Sequence, residues 1–130
     1  MTAGLLDTSV VLCIFNKERG ADAAMKLVSS CAISLVNLAE VVTKLSDWGK
    51  SGDQIGAYLK LLSLQCTEYT EADALETGAL RPPTRAQGLS LGDRACLATA
   101  KRLGVPAYSC DKQWANLDSA RIGVDIRVIR

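Results

Sequence analysis

Apolar positions along this chain follow two alternating patterns. Short, largely unbroken runs stand at 3–6, 31–34 and 105–108, with 63–69 as a further candidate, and two-sided stretches lie between them. The runs predict strands, because a strand covered on both faces needs no polar alternation. The run at 3–6 ends in consecutive leucines, Leu5 and Leu6, which predicts a central first strand. The two-sided stretches carry apolar residues at helical spacing. Residues 10–16 form the first helix, with Thr8 or Ser9 as its cap. Residues 20–30 form the second, striped by Ala23, Ala24, Leu27 and Val28, with Asp22 and Lys26 one turn apart. Residues 36–48 follow, capped by Ser34 and striped by Leu38, Val41, Val42 and Leu45. After a glycine break at 49–52, Ile55, Leu59 and Leu62 mark another helix. Thr70 with Asp73, and Ser90 with Asp93, have capping-box spacing ahead of helices reaching Leu80 and Gly104. Pro82 and Pro83 cannot continue the earlier of these helices, so 81–89 reads as a surface loop. Trp114 and Leu117 anchor a short helix. Val124, Ile126 and Val128 alternate with Asp125 and Arg127, the pattern of a half-buried edge strand. Strands alternating with helices predict one α/β domain over residues 1–130. The expected architecture is a three-layer α/β/α arrangement on a mostly parallel central sheet of about four or five strands.

Composition narrows the chemistry. A hydrophobic share of 48% in 130 residues supports a buried core rather than disorder. No apolar run approaches the roughly 18 residues that cross a bilayer, and the N terminus lacks the pattern of a secretory signal, so the expected location is cytoplasmic. The five cysteines (Cys13, Cys31, Cys66, Cys96, Cys110) never form a Cys-x-x-Cys pair. They read as small buried residues of a reducing compartment. There is no histidine, which excludes His-based triads, His general bases and His metal sites. Any metal must then be held by oxygen, which favours Mg²⁺ or Mn²⁺ over zinc or copper.

The net charge of +1 conceals an asymmetry. Residues 1–80 hold six Lys/Arg against ten Asp/Glu, and residues 81–130 hold nine against four. The basic half fits either a polyanion partner or solvated helix faces.

Four acids draw attention. Asp7 follows the first strand, at the carboxyl end where open α/β sheets hold ligands, though it also fits a helix cap. Asp93 opens the helix 90–104 in line with Cys96, Leu97 and Ala100. An acid heading an apolar stripe is partly buried, and its charge then needs a metal or hydrogen-bond donors, the capping box being one such source. Asp111 sits just past the strand at 105–108, where it can meet Asp93. Glu40 falls away from the stripe of its helix with Lys44 one turn on, which by itself reads as an exposed ion pair.

The ordered set resembles the PIN-domain ribonucleases, in particular the VapC-type toxins of prokaryotic toxin–antitoxin pairs. Leu6-Asp7-Thr8-Ser9, Asn37-Leu38-Ala39-Glu40-Val41, and the segment from Leu89 to Ala98 followed by Ala107 to Trp114 carry the resemblance. It implies that Asp7, Glu40, Asp93 and Asp111 are catalytic, metal-binding acids, with Thr8, Ser9 and Ser109 as supporting hydroxyls. Ser109 stands where the family more often has threonine. It further implies an endoribonuclease leaving 3′-hydroxyl and 5′-phosphate ends, restrained by a small VapB-like antitoxin, as a homodimer or a toxin–antitoxin hetero-oligomer.

The residues fit that chemistry. Clustered carboxylates repel one another unless a cation binds, and Mg²⁺ or Mn²⁺ can activate water and stabilise charge on a scissile phosphate. The acids alone would repel RNA, so Arg81, Arg85, Arg94 and Lys112 are the expected RNA-binding cations, on the 81–112 side of the cleft. Two alternatives stand beside this reading. A non-catalytic PIN-like RNA- or protein-binding module should have lost one of the acids. An acid-cluster phosphoacceptor signalling domain should carry two adjacent acids after the first strand, and Asp7 is alone.

Overall fold

A computed structural model describes residues 1–130. Five strands form one parallel sheet: β1 (Leu5–Leu6), β2 (Ala32–Ser34), β3 (Gln65–Thr67), β4 (Ala107–Ser109) and β5 (Ile126–Val128), in the order β3-β2-β1-β4-β5. β1 is central, as its paired leucines predict, and β5 is an edge. Eight helices surround the sheet: α1 (Thr8–Phe15), α2 (Ala21–Val28), α3 (Leu35–Asp47), α4 (Gly52–Leu62), α5 (Glu71–Ala79), α6 (Arg81–Thr84), α7 (Leu91–Leu103) and α8 (Ser119–Ile122). Leu5 and Leu6 are both fully buried and point into opposite cores. One core joins Leu6 and Ile33 to Val10, Val28, Val41, Leu45 and Ile55 of the first four helices. The other joins Leu5 and Ala107 to Leu97, Ala100, Trp114 and Ile122. Helices thus cover both faces, the expected three layers.

Several elements differ locally from expectation. The first helix begins at Thr8, and its cap is Asp7 rather than Thr8 or Ser9. Residues 81–89 are not a plain loop: α6 and a 3₁₀ turn at Arg85–Gln87 occupy most of it. Pro82 and Pro83 end α5 as expected but fall in the first turn of a new helix, where a missing amide costs nothing. Residues 112–116 form a 3₁₀ turn burying Trp114. Both expected capping boxes form, at Thr70/Asp73 and Ser90/Asp93. A third, at Ser51/Gln54, starts α4. All five cysteines are free thiols, four of them buried. No helix is long and apolar enough to cross a membrane.

Candidate active site

The sheet order explains why the acids meet. The chain leaves β1 toward β2 on one side and later returns to β4 on the other, so the strand order reverses between β1 and β4. Crevices form outside the carboxyl ends of strands at such a point. Asp7 follows β1 and Asp111 lies two residues past β4. α7 leads into β4 and runs back against it, which brings its first turn, with Asp93, to the same edge. α3 starts directly from β2 and packs on α7, bringing Glu40 opposite Gly92.

Asp7 is buried at the bottom of this crevice, 2% exposed. Its Oδ1 accepts from the Ser9 hydroxyl at 2.6 Å and from the Val10 amide at 3.1 Å. Its Oδ2 accepts from the Ser109 hydroxyl at 2.5 Å. The two serines are tied in turn to the β4 end. The Cys110 amide donates to Ser9 Oγ at 2.9 Å and the Asp111 amide to Ser109 Oγ at 3.0 Å. Burial pushes the Asp7 carboxyl up from 3.8 to about 7; the three hydrogen bonds hold it down, and the charge of Asp93 adds to the rise. Asp93 is half-buried and raised too, first by burial and then, against the Ser90 bonds that lower it, by the charges of Glu40 and Asp111. Asp111 is exposed and caps the 3₁₀ turn after it through the Gln113 amide.

Glu40 does not form the exposed pair with Lys44 that its helix phase indicates. Its Oε1 accepts from the Thr8 hydroxyl at 2.7 Å and from the Asn37 amide at 3.2 Å. The space its carboxylate fills is the space a side chain at position 92 would take, so Gly92 leaves the room for it. Asn37 is part of the Glu40 motif in the sequence but has no role of its own there. It is 1% exposed, and its Nδ2 also donates to Thr8 Oγ1 at 3.2 Å and to the Gly92 carbonyl at 3.1 Å. It therefore joins α1, α3 and α7 at the crevice. Its Oδ1 accepts from the Ser34 hydroxyl that caps α3, and its signal in the sequence is its place at the head of the motif that ends in Glu40-Val41.

Cys96 lies one turn below Asp93, fully buried. Burial and the charges of Asp7, Asp93 and Glu40 push its thiol well above its ordinary value, so it stands as a neutral wall. The donors facing the crevice are accordingly all oxygens. The charge of Asp93 raises the proton affinity of Asp7, and those of Glu40 and Asp111 raise that of Asp93; a divalent cation would relieve that repulsion, and by donor chemistry the four carboxylates fit Mg²⁺ or Mn²⁺. As the side chains lie, no three of them converge into a coordination shell.

The four expected RNA-facing cations fare differently. Arg94 turns away from the crevice: its Nη1 donates to the Thr77 carbonyl on α5 at 2.9 Å, and its Nε is buried without a partner. Arg81 reaches the Leu89 carbonyl. Arg85 and Lys112 are exposed and make no ion pair, and the turn bearing Arg85 packs on the turn bearing Lys112. Beside Asp111 a pocket of about 410 Å³ is lined by Ser9, Arg19, Cys110, Asp111, Lys112 and Arg130. Arg19 comes from the acidic half of the chain and had no signal in the sequence.

The sequence matches the PIN domain family over residues 4–120. No curated protein matches it. Among solved structures, a toxin–antitoxin complex from Klebsiella pneumoniae is similar at 25% identity with a TM-score of 0.66, over 86% of this chain and 90% of that one. DNA-bound VapBC from Salmonella typhimurium is similar at 20% identity and a TM-score of 0.72, over 100% of both chains. The sarcin–ricin loop cleaving toxin VapC20 of Mycobacterium tuberculosis is similar at 18% identity and 0.68, over 86% and 92%.

Proposed function

Since the chain belongs to the PIN domain family, we propose that it is a metal-dependent endoribonuclease and the toxin of a VapBC-type pair, with residues 1–130 as one nuclease domain. The observation that carries this reading is the gathering of Asp7, Glu40, Asp93 and Asp111 at the carboxyl edge of the sheet, two of them with raised proton affinity. These four would hold Mg²⁺ or Mn²⁺. When bound, the ion supplies a water of lowered pKa and positive charge for the scissile phosphate. The chain's own groups do the positioning. Ser9 and Ser109 fix both oxygens of Asp7, while Thr8 and Asn37 fix Glu40. The capping box fixes Asp93 through the Ser90 amide. Arg85 and Lys112, free of protein partners, are the better placed of the four expected cations to contact RNA. A small VapB-like antitoxin is the proposed partner, on the likeness to the toxin–antitoxin complexes.

Retention of all four acids disfavours a non-catalytic module. The sheet order also differs from the 2-1-3-4-5 order of flavodoxin-like phosphoacceptor domains. The test is RNA cleavage by purified, partner-free protein with Mg²⁺ or Mn²⁺ and then with EDTA. Cleavage should require the ion and vanish in Asp93→Asn. Cleavage unchanged in EDTA would refute the metal mechanism. Growth arrest on expression, relieved by the adjacent small open reading frame, is the expected mark of the toxin; equal growth with soluble, active protein would count against it.

A further inference from the structure

The pocket beside Asp111 borders the proposed catalytic crevice, but two of its lining cations, Arg19 and Arg130, have no role in the reading above. Three cations converge on it from separate parts of the chain: Arg19 between α1 and α2, Lys112 after β4, and Arg130 after β5. Arg130 is held in place, its Nε donating to the Cys110 carbonyl at 2.9 Å and its Nη1 to Glu18 at 2.7 Å. Arg19 and Lys112 are exposed and have no carboxylate within ion-pair distance. Such unspent charge next to a cluster of acids is unfavourable for neither group, yet it serves no fold contact either. Ser9 lines the same pocket and donates to Asp7, so the pocket floor is continuous with the crevice.

We propose that this pocket binds a backbone phosphate of the RNA strand adjacent to the one being cut, with Arg19 and Lys112 as its contacts and Arg130 as its fixed rear wall. The inference rests on the nuclease reading above and adds a second point of attachment to it. Cys110 is the one apolar residue of the lining, and no aromatic ring faces it. A base would find nothing to stack on, whereas a phosphate would find fork and ammonium donors. The contact is therefore neutral to sequence. It also draws the RNA footprint across β4 to the α1–α2 connection, away from Arg94, which is committed to α5.

The experiment uses Asp93→Asn protein, so that RNA is bound and not cut, and titrates a labelled single-stranded RNA over a range of KCl. Arg19→Gln and Lys112→Gln should each weaken binding by about fivefold. Each should also flatten the plot of log affinity against log salt by ~0.7. The loss should be equal for RNAs of different sequence, and Lys60→Gln, on a helix that does not line the pocket, should change neither quantity. With Asp93 intact, Arg19→Gln/Lys112→Gln should raise KM and spare kcat. Unchanged affinity and slope in both variants overturns the subsite, even if the parent cleaves RNA. A parent that cleaves nothing overturns the nuclease reading instead, while the salt titration still decides the subsite. Losses that depend on base identity would also overturn it, since they would mean a base and not a phosphate occupies the pocket.

Discussion

Asp7 offers the sharpest test, because its burial sets a function-related cost in the metal-free protein. Its carboxyl is pushed from 3.8 to about 7, so the folded chain holds that proton more tightly than the unfolded chain. The raised value favours folding most at pH below the unfolded value, and that advantage is lost as pH climbs to about 7. At about 1.4 kcal/mol per pH unit, burying Asp7 costs about 2 kcal/mol at pH 5, where the folded chain must hold it protonated, and about 4 kcal/mol at pH 8, where it is ionised. Asp7→Asn removes the charge and keeps the shape. The Ser9 hydroxyl and Val10 amide can still donate to its carbonyl, and its amide can donate to Ser109 Oγ. In EDTA, urea unfolding should therefore find Asp7→Asn more stable than the parent, by a margin that shrinks from pH 8 to pH 5. Millimolar Mg²⁺ should stabilise the parent more than the variant and narrow the gap, while RNA cleavage is lost in the variant. An Asp7→Asn protein no more stable than its parent at pH 8 in EDTA, or a margin independent of pH, would refute the argument.

Two further outcomes follow from specific contacts. Gly92→Ala places a methyl where the Glu40 carboxylate now lies; because that carboxylate ends a flexible side chain, it can swing out at a stability cost of roughly 1 kcal/mol or less. Cleavage should fall by at least about tenfold, a loss of about 1.4 kcal/mol in transition-state stabilisation, and wild-type kcat/KM in a folded Gly92→Ala protein would show that Glu40 plays no part. Asp73 is 1% exposed and binds Arg102, Thr99 and the Thr70 amide, fastening α5 to α7. Arg102→Ala should cost about 2–3 kcal/mol in urea unfolding near neutral pH, after allowance for the solvent reaching the guanidinium. Arg102 and the other donors hold the Asp73 carboxyl below its ordinary value despite burial. Its contribution is thus present above that value and lost as pH falls, so the gap between parent and variant should close in acid.

Much of the crevice was legible in the sequence because local rules carried it. A strand end followed by a cap placed Asp7, a capping box at the head of an apolar stripe placed Asp93, and a polar cluster after a strand placed Asp111. All three depend on the residues beside them in the chain. Alternation of short apolar runs with striped helices likewise determined the α/β class, and consecutive leucines determined that β1 is central. Side chains whose position depends on distant neighbours were different. The phase of α3 describes Glu40 against its own stripe and says nothing of the Thr8 hydroxyl or the gap at Gly92, which α1 and α7 supply. The Arg94 guanidinium looked free until α5 offered the Thr77 carbonyl. Asn37 bridges three helices and Arg19 joins a pocket built from both halves of the chain. Charge and helix phase are properties of a segment, but the direction of a long polar side chain is chosen by whichever partner the packed fold brings within reach, and only the tertiary structure decided that.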